Sequence, residues 1–381
     1  MNAPKKGSRP GRRRNRVRWS LLGLSVAAIL VLGGYFAGPG WLVNRARHTA
    51  DSDPRAAEEM LMEAIDRAGG EHPEAYLLLS RVLGMQGRWI EATGAFAVAS
   101  ESECDPMQVL QLAEEAQNAD QWTLSEIALS NVERSGIENP EVVRRALPLL
   151  YGLGTHVTVI DWARQLQELS PDDPLGWEFE ARAHEARGQL LKAIRAYEEA
   201  LDRRPEHPAE LRERLVELLL ETGDVARART EMVELLSETS SFSVRLIHVR
   251  LLQLEAKFND ALAFCEELLV ERPGDPDVLR LRGSLYLDLD QPRAAVDDLV
   301  RAVADDPRDA RCHYQLSQAY LRLGQSDKAR EHLRQRDRLI EMQERIRRLE
   351  AELERDRSNS GLRFELAELY EEAARPPSES Q

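Results

Sequence analysis

The stretch Trp177–Pro205, WEFEARAHEARGQLLKAIRAYEEALDRRP, decides how this chain is read. It is dense in helix formers, broken once at Gly188 and stopped at Pro205. Trp177, Ala181 and His184 share one helical face by their i, i+4, i+7 spacing, and Ala193, Tyr197 and Ala200 share another. Small residues let two helices approach, and a large side chain fills the gap beside them. The glycine relieves strain at the carboxyl end of the first helix, and the proline keeps the second from continuing. A single hairpin of this kind cannot cover its apolar face, so its recurrence or isolation determines the architecture.

It recurs. The turn reads QGRW at Gln86–Trp89, RGQL at Arg187–Leu190, TGDV at Thr222–Val225, EAKF at Glu255–Phe258 and LGQS at Leu323–Ser326. A small residue follows each time (Ala92, Ala193, Ala228, Ala261, Ala329), and four residues later a larger apolar one (Phe96, Tyr197, Met232, Cys265, Leu333). Pro106, Pro140, Pro171, Pro205, Pro273 and Pro307 punctuate the array. Units start near 73, 106, 140, 174, 209, 242, 276 and 310, in steps of 33 to 35 residues. Chance does not hold that register.

On these residues the chain resembles the tetratricopeptide repeat family over roughly 55–375. The period matches, as do Trp177, Gly188, Ala193, Tyr197, Ala200 and Pro205; units 73–105, 276–309 and 310–336 carry the pattern as well. Residues 106–173 are degenerate, with Ser125 and Val159 in place of the small alanine. The family glycine of the first helix is present only as Gly283; Ser80, Ala113, Leu147, Ala181, Val216, Val249 and Ser317 replace it. The resemblance implies an all-α fold, a tetratricopeptide-like α-solenoid coiled as a right-handed superhelix of helix pairs over 55–336. At its start Ala56–Ile65 reads as an unpaired second helix. At its end, 337–375 reads as an extended helix followed by a capping helix. Leu339, Met342, Ile346, Leu349 and Leu353 step by 3, 4, 3, 4 along the extended helix. That seam fits packing within the solenoid end or a dimerising coiled coil, the latter giving a homodimer. The tail 376–381 is expected to be disordered.

The amino terminus has a different character. Acids outnumber bases 66 to 51 in the 381 residues, yet 1–48 contain ten bases and no acid. The remainder therefore carries −25 rather than −15, a charge that disfavours nucleic acid as a partner. Between Arg18 and Arg45 lies WSLLGLSVAAILVLGGYFAGPGWLV, without any charge, and Trp19 and Trp41 sit where interfacial anchors belong. Residues 19–43 read as a transmembrane signal-anchor behind a basic, disordered cytoplasmic tail, 1–18. The bases ahead of the span keep the amino terminus in the cytoplasm and send the solenoid to the extracytoplasmic side. The missing Asn-x-Ser/Thr sequon points that side towards a bacterial periplasm. A cleaved signal peptide fits less well, because Tyr35 occupies the −3 position of the small-x-small site ending at Ala37.

Chemistry is sparse. Cys104, Cys265 and Cys312 have no metal-ligand spacing, and the histidines form no HExxH, HxH or Cys/His cluster. His184 and His248 fall at core-facing positions. The acids Asp275, Asp277, Asp288 and Asp290 lie at the two ends of one helix, as a solvated helix boundary would. No enzyme, cofactor or metal is expected.

What remains is a surface. The family resemblance places ligand contacts on the first helices, at positions 2, 5, 9 and 12 of each unit. Carried over, these are Leu77 and Arg81; Leu110 and Glu114; Arg144 and Tyr151; and Glu178, Arg182 and Glu185. The later units add Leu246, Arg250 and Gln253; Arg280 and Leu287; and Tyr314, Gln318 and Leu321. Arg81, Arg182 and Arg250 share position 9, and arginine clamps carboxylates bidentately. An extended protein segment with apolar and acidic groups suits that lining, although facing glutamates also neutralise arginine. The expected role is a membrane-anchored interaction scaffold that recruits or assembles partner proteins. A structural or oligomerising spacer is the alternative, as is an accessory subunit of an envelope biogenesis, secretion or polysaccharide export complex.

Overall fold

The computed structural model describes residues 38–134, 138–356 and 359–374, which contain nineteen α-helices and no strand. The chain divides into two compact units at Leu153/Gly154. The first holds α1 (Pro39–Thr49), α2 (Pro54–Arg67), α3 (Pro73–Met85), α4 (Trp89–Ala99), α5 (Pro106–Asn118), α6 (Trp122–Arg134) and α7 (Pro140–Gly152). Within it α1 pairs with α2, α3 with α4 and α5 with α6, while α3, α5 and α7 lie side by side.

The second unit begins with α8 (His156–Leu169), α9 (Pro174–Ala186), α10 (Leu190–Asp202), α11 (Pro208–Glu221), α12 (Val225–Glu238) and α13 (Phe242–Leu254). It continues with α14 (Phe258–Glu271), α15 (Pro276–Asp288), α16 (Pro292–Asp305), α17 (Ala310–Arg322), α18 (Ser326–Arg355) and α19 (Ser360–Ala374). Each helix packs on the next, and the first helices α11, α13, α15 and α17 also touch in series. That second-neighbour packing is how stacked hairpins bury the face that none could bury alone.

The turn after each first helix is the most regular element. Gly87, Asp120, Gly154, Gly188, Gly223, Ala256, Asp290 and Gly324 all have positive φ, spaced by 33 to 35 residues. In seven of them the next residue's amide reaches back to close the helix, as Gln189 N does to His184 O at 2.9 Å and Lys257 N to Leu252 O at 2.9 Å. These are Schellman closures, which favour glycine because only it enters the left-handed region without strain. Three units use Asp120, Ala256 or Asp290 instead, so the unit persists where its glycine signature is lost.

Capping differs between the two helix types. Asp105, Asn139, Asp173, Asp275 and Asp309 accept from backbone N–H groups at the start of first helices, at 2.8–3.2 Å. Pro106 and Pro140 occupy the first position of a helix and open it. Pro171, Pro205, Pro273 and Pro307 stand after second helices, as terminators.

In the core, Ala92, Ala193, Ala228, Ala261, Ala295 and Ala329 are fully buried beside Phe96, Tyr197, Met232, Cys265 and Leu299. Each large side chain contributes about 1.5–3 kcal/mol by leaving water. Leu333 departs from this rule and is half-buried. Gly283 is required by contact: a Cβ there would lie 2.6 Å from Leu299 Cγ. Ser80 and Ser317 fill the equivalent place, their hydroxyls donating to Ala92 O at 2.7 Å and Tyr314 O at 2.6 Å. Trp177 packs half-buried on the core around Tyr197, with the Arg203 guanidinium 4.4 Å above its ring.

The two ends differ from the sequence reading in part. The helix expected to be unpaired at Ala56–Ile65 is α2, and it is paired with α1, where Leu42, Val43 and Ala46 are buried. Trp41–Val43, read as the end of a membrane span, therefore belong to a helix of the solenoid. The apolar side of α2 recruits Leu42 and Val43 because it would otherwise face water, while Trp41 stays 48% exposed. The rest of the span, 19–37, the tail 1–18 and the tail 376–381 lie outside the described residues. Among the described residues no helix is long and apolar enough to cross a membrane. At the other end α19 folds back along α18, tied by Arg338–Glu372 (3.0 Å), Arg345–Glu365 (2.6 Å) and the Tyr370 hydroxyl donating to Glu350 (2.6 Å).

Candidate functional site: the first-helix faces

In the first unit, α1, α3 and α5 surround a cleft of about 180 Å³ lined by Arg47, Leu77, Leu78, Arg81, Gln108 and Gln111. Both arginines are already paired: Arg47 with Glu74, and Arg81 with Glu115 at 2.7 Å and Asp51 at 3.5 Å. Leu77 lines the cleft but is almost fully covered. Leu110 has no exposed surface and is a core residue, not a contact for a partner, because neighbouring first helices pack over it. Arg145 pairs with Glu114 at 2.8 Å. Arg144 is exposed beside Glu141 at 3.5 Å, and Tyr151 is half-buried.

The second unit presents α9, α11, α13, α15 and α17. Its first part is acidic. Glu178 pairs with Arg182 at 2.6 Å, and burial still raises the Glu178 pKa above the ordinary carboxylate value. Arg182 also lies 5.4 Å from the Phe179 ring. Glu185 accepts from the Tyr197 hydroxyl at 2.9 Å and pairs with Arg214, which also holds Glu217 at 2.5 Å. Burial raises the Glu217 pKa as well.

The later part is basic. Arg280 is fixed by Asp309 at 2.9 Å and Asp277 at 3.3 Å. Arg250, half-buried on α13, makes no hydrogen bond or ion pair with any described residue. Its guanidinium is less basic than usual, first through burial and then through the positive charges of Arg311 and Arg280. Leu246 lies one turn earlier on the same helix and is half-buried. Tyr314 is 45% exposed, with the Arg336 guanidinium 5.4 Å from its ring, and Gln318 is half-buried one turn further on. Gln253 donates to Ser284 at 2.8 Å and Asp288 at 2.6 Å, and Leu287 is buried.

Of the three arginines at position 9, two are thus held by neighbouring carboxylates and one is not. The unit starting at 209 was passed over in the sequence reading, yet its position 9 is Glu217. Arg311, at position 2 of the unit starting at 310, was passed over too. The spacing that located Arg250 also locates both. The seam Leu339, Met342, Ile346, Leu349 and Leu353 lies on α18; Leu349 is buried and the others are half-buried. Leu369 of α19, the helix that folds back along it, is buried.

Among the described residues no group of three or more His, Cys, Asp or Glu is placed to hold a metal. Burial pushes the Cys265 and Cys312 thiols up to about 12. His184 is held by Gln189 at 2.9 Å, and His248 packs edge-on against Phe264 at 5.1 Å.

The sequence matches the family profile for the tetratricopeptide repeat over residues 185–241. It also matches that for the anaphase-promoting complex, cyclosome, subunit 3 over 255–335. No characterised protein compared with the chain matches it by sequence. Among solved structures the chain is similar to a tetratricopeptide repeat protein from Parabacteroides merdae, at 15% identity and TM-score 0.54, over 61% of this chain and 93% of that one. It is more distantly similar to YrrB, a tetratricopeptide repeat protein described with an unusual peptide-binding site. There the identity is 16% and the TM-score 0.42, over 49% of this chain and 95% of that one. The Cut9–Hcn1 hetero-tetramer of the anaphase-promoting complex gives 14% and 0.44, over 79% and 73%. Two family profiles over 185–241 and 255–335, a fold shared with a tetratricopeptide repeat protein and eight left-handed turns at a 33–35-residue interval agree: the chain folds as a tetratricopeptide-like α-solenoid, and those two stretches match tetratricopeptide-type profiles.

Proposed function

We propose that this protein is an interaction scaffold that holds extended protein segments on its first-helix faces. The observation that carries the reading is the contrast on the first helices of the second unit, where buried ridges alternate with Arg250, Tyr314 and Gln318, polar or aromatic groups left accessible. A photo-crosslinker at Tyr314 should yield a discrete adduct in cells, while one at Val270, 83% exposed on the second helix α14, should not. Equal adducts from both positions would remove the first-helix reading.

We further propose that the scaffold is tethered to a membrane with its repeats on the extracytoplasmic side, in a bacterial periplasm. Support comes from the uncharged run behind eight bases. Because α1 starts at Pro39, the stretch left for crossing is Trp19–Gly38, and twenty residues rise about 30 Å as a helix. Protease added to spheroplasts should digest the repeats; protection until the membrane is permeabilised would refute this sidedness.

A further inference from the structure

The two helices of the first pair differ in the chemistry of their outer faces. On α1, Leu42, Val43 and Ala46 are buried in the packing with α2, and Trp41, Asn44, Arg45 and His48 lie on the opposite side, all exposed. Their i, i+3, i+4, i+7 spacing joins them into one continuous stripe. Trp41 is 48% exposed, with the Arg45 guanidinium 5.2 Å over its ring. Arg45 and His48 have no ion-pair partner among the described residues, and α1 contains no acid. By contrast α2 exposes Glu59, Glu63 and Asp66 along its length, with Arg55 and Arg67 only at its two ends. Asp51 and Asp53, just past α1, are engaged by Arg81 at 3.5 Å and by the Ala56 amide at 3.1 Å.

A tryptophan beneath an unpaired guanidinium, on a stripe without acids, has the composition of a helix that lies in a membrane interface. Its place in the chain supplies the occupant. The uncharged run that begins at Trp19 reaches the start of α1, where Gly38 is extended (φ −66°, ψ 165°) and Pro39 opens the first turn. Proline has no N–H to offer a preceding turn, so α1 begins there as a new helix with its own direction. Its 11 residues make it about 16 Å long, while the headgroup layer of one leaflet is about 5–8 Å deep. An upright α1 would carry His48 out of that layer; a flat one keeps the whole stripe within it. We infer that α1 lies along the bilayer surface, with Trp41 at headgroup level and the Arg45 guanidinium on a lipid phosphate, which it matches as a planar fork. The apolar side of α1 stays covered by α2, so the lipid surface takes only the stripe. This inference rests on the tether reading and names the surface that the tether brings against the lipid.

Photo-crosslinking of the full-length chain in vesicles tests it, with phosphatidylcholine alone or mixed with phosphatidylglycerol. The photoreactive residue replaces Asn44 on α1 or, for comparison, Glu59 on α2, both exposed. Position 44 should yield at least about fivefold more lipid adduct than position 59, and more again when phosphatidylglycerol is present. Arg45→Gln should lower the adduct at 44 about fivefold in the mixed vesicles, the worth of one basic residue at an anionic surface. Trp41→Ala should lower it in both kinds of vesicle. Both side chains are exposed, so neither change disturbs the packing on α2. A chain that floats with neither kind of vesicle overturns the tether and this inference together. A chain that floats but labels no more at 44 than at 59 overturns the inference alone. So does an adduct that survives both substitutions unchanged, because nearness to the anchor would then account for it. A protein adduct in place of a lipid adduct at 44 in native membranes overturns it as well, in favour of a protein partner.

Discussion

Replacing Arg250 by methionine should stabilise the protein. Methionine keeps an unbranched stem to cover the same surface while removing the charge. An unsatisfied buried polar group costs about 1–3 kcal/mol, more for a full charge. Arg250 keeps some contact with water, so the lower end applies. Relief from the like charges of Arg311 and Arg280 is offset in part by lost attraction to Glu217 and Glu221, leaving a gain of about 1 kcal/mol. The control is Arg81→Met. Arg81 occupies the same position in its own unit but is bonded to Glu115 and Asp51, with 21% of its side chain exposed. Breaking that partly buried pair leaves a carboxylate uncompensated and should cost about 1 kcal/mol. Repeat arrays do not always unfold as one cooperative block. The measurement is therefore amide hydrogen exchange of α13 and α15 for Arg250→Met, and of α3 and α5 for Arg81→Met. Exchange should slow in the first case and quicken in the second. If Arg250→Met quickens exchange to a similar degree, the guanidinium has a stabilising role in the unliganded fold and the argument for an open site collapses.

Four further outcomes follow from the packing. Ala256→Gly should stabilise by about 1 kcal/mol, because Ala256 sits at φ +57° where glycine has no Cβ penalty; a loss in chemical denaturation would contradict the turn assignment. Gly283→Ala should destabilise by about 1–3 kcal/mol, because the new Cβ meets Leu299, and Leu299→Ala in the same chain should recover part of its own loss. Stability should fall between roughly pH 7 and 5. Burial lowers the pKa of His184, His248 and His332 below the ordinary 6.5, so the unfolded chain binds protons that the folded chain refuses. Their stabilisation is present above 6.5 and is lost as pH drops, whereas Glu178 and Glu217, with raised values, act in the opposite sense nearer 4.5. A triple His-to-Gln variant whose denaturation midpoint varies with pH as steeply as the parent's would refute this. Deleting 360–374 should uncover the α18 seam and cause self-association, and light scattering that stays monomeric would argue that the seam is not adhesive.

Much of this was legible without coordinates because it is local. A helix needs only its 3.6-residue rhythm, so Ala193, Tyr197 and Ala200 announce a buried face from their spacing alone. A turn needs a residue that tolerates positive φ, so Gly87, Gly188, Gly223 and Gly324 mark the hairpins. The signal failed where the same backbone was adopted by Asp120 and Asp290, whose tolerance of the left-handed region is shared with many loop residues. At the amino-terminal end the start of α1 was not legible for a related reason: Leu42 and Val43, which are buried, are as apolar as the run before them. Composition does not separate a side chain that faces lipid from one that faces α2.

The amino-acid order alone determined that this is a periodic array of helix pairs, and where each pair begins and turns, since those properties arise between residues a few positions apart. Only the tertiary structure decided which cations are spent and which are open. Arg81 finds Glu115 thirty-four residues away and Arg280 finds Asp309 twenty-nine away, while Arg250, in the same kind of position, finds none. Those pairings depend on how neighbouring repeats slide against one another, and spacing along the chain does not encode a shift of one helical turn between two packed faces.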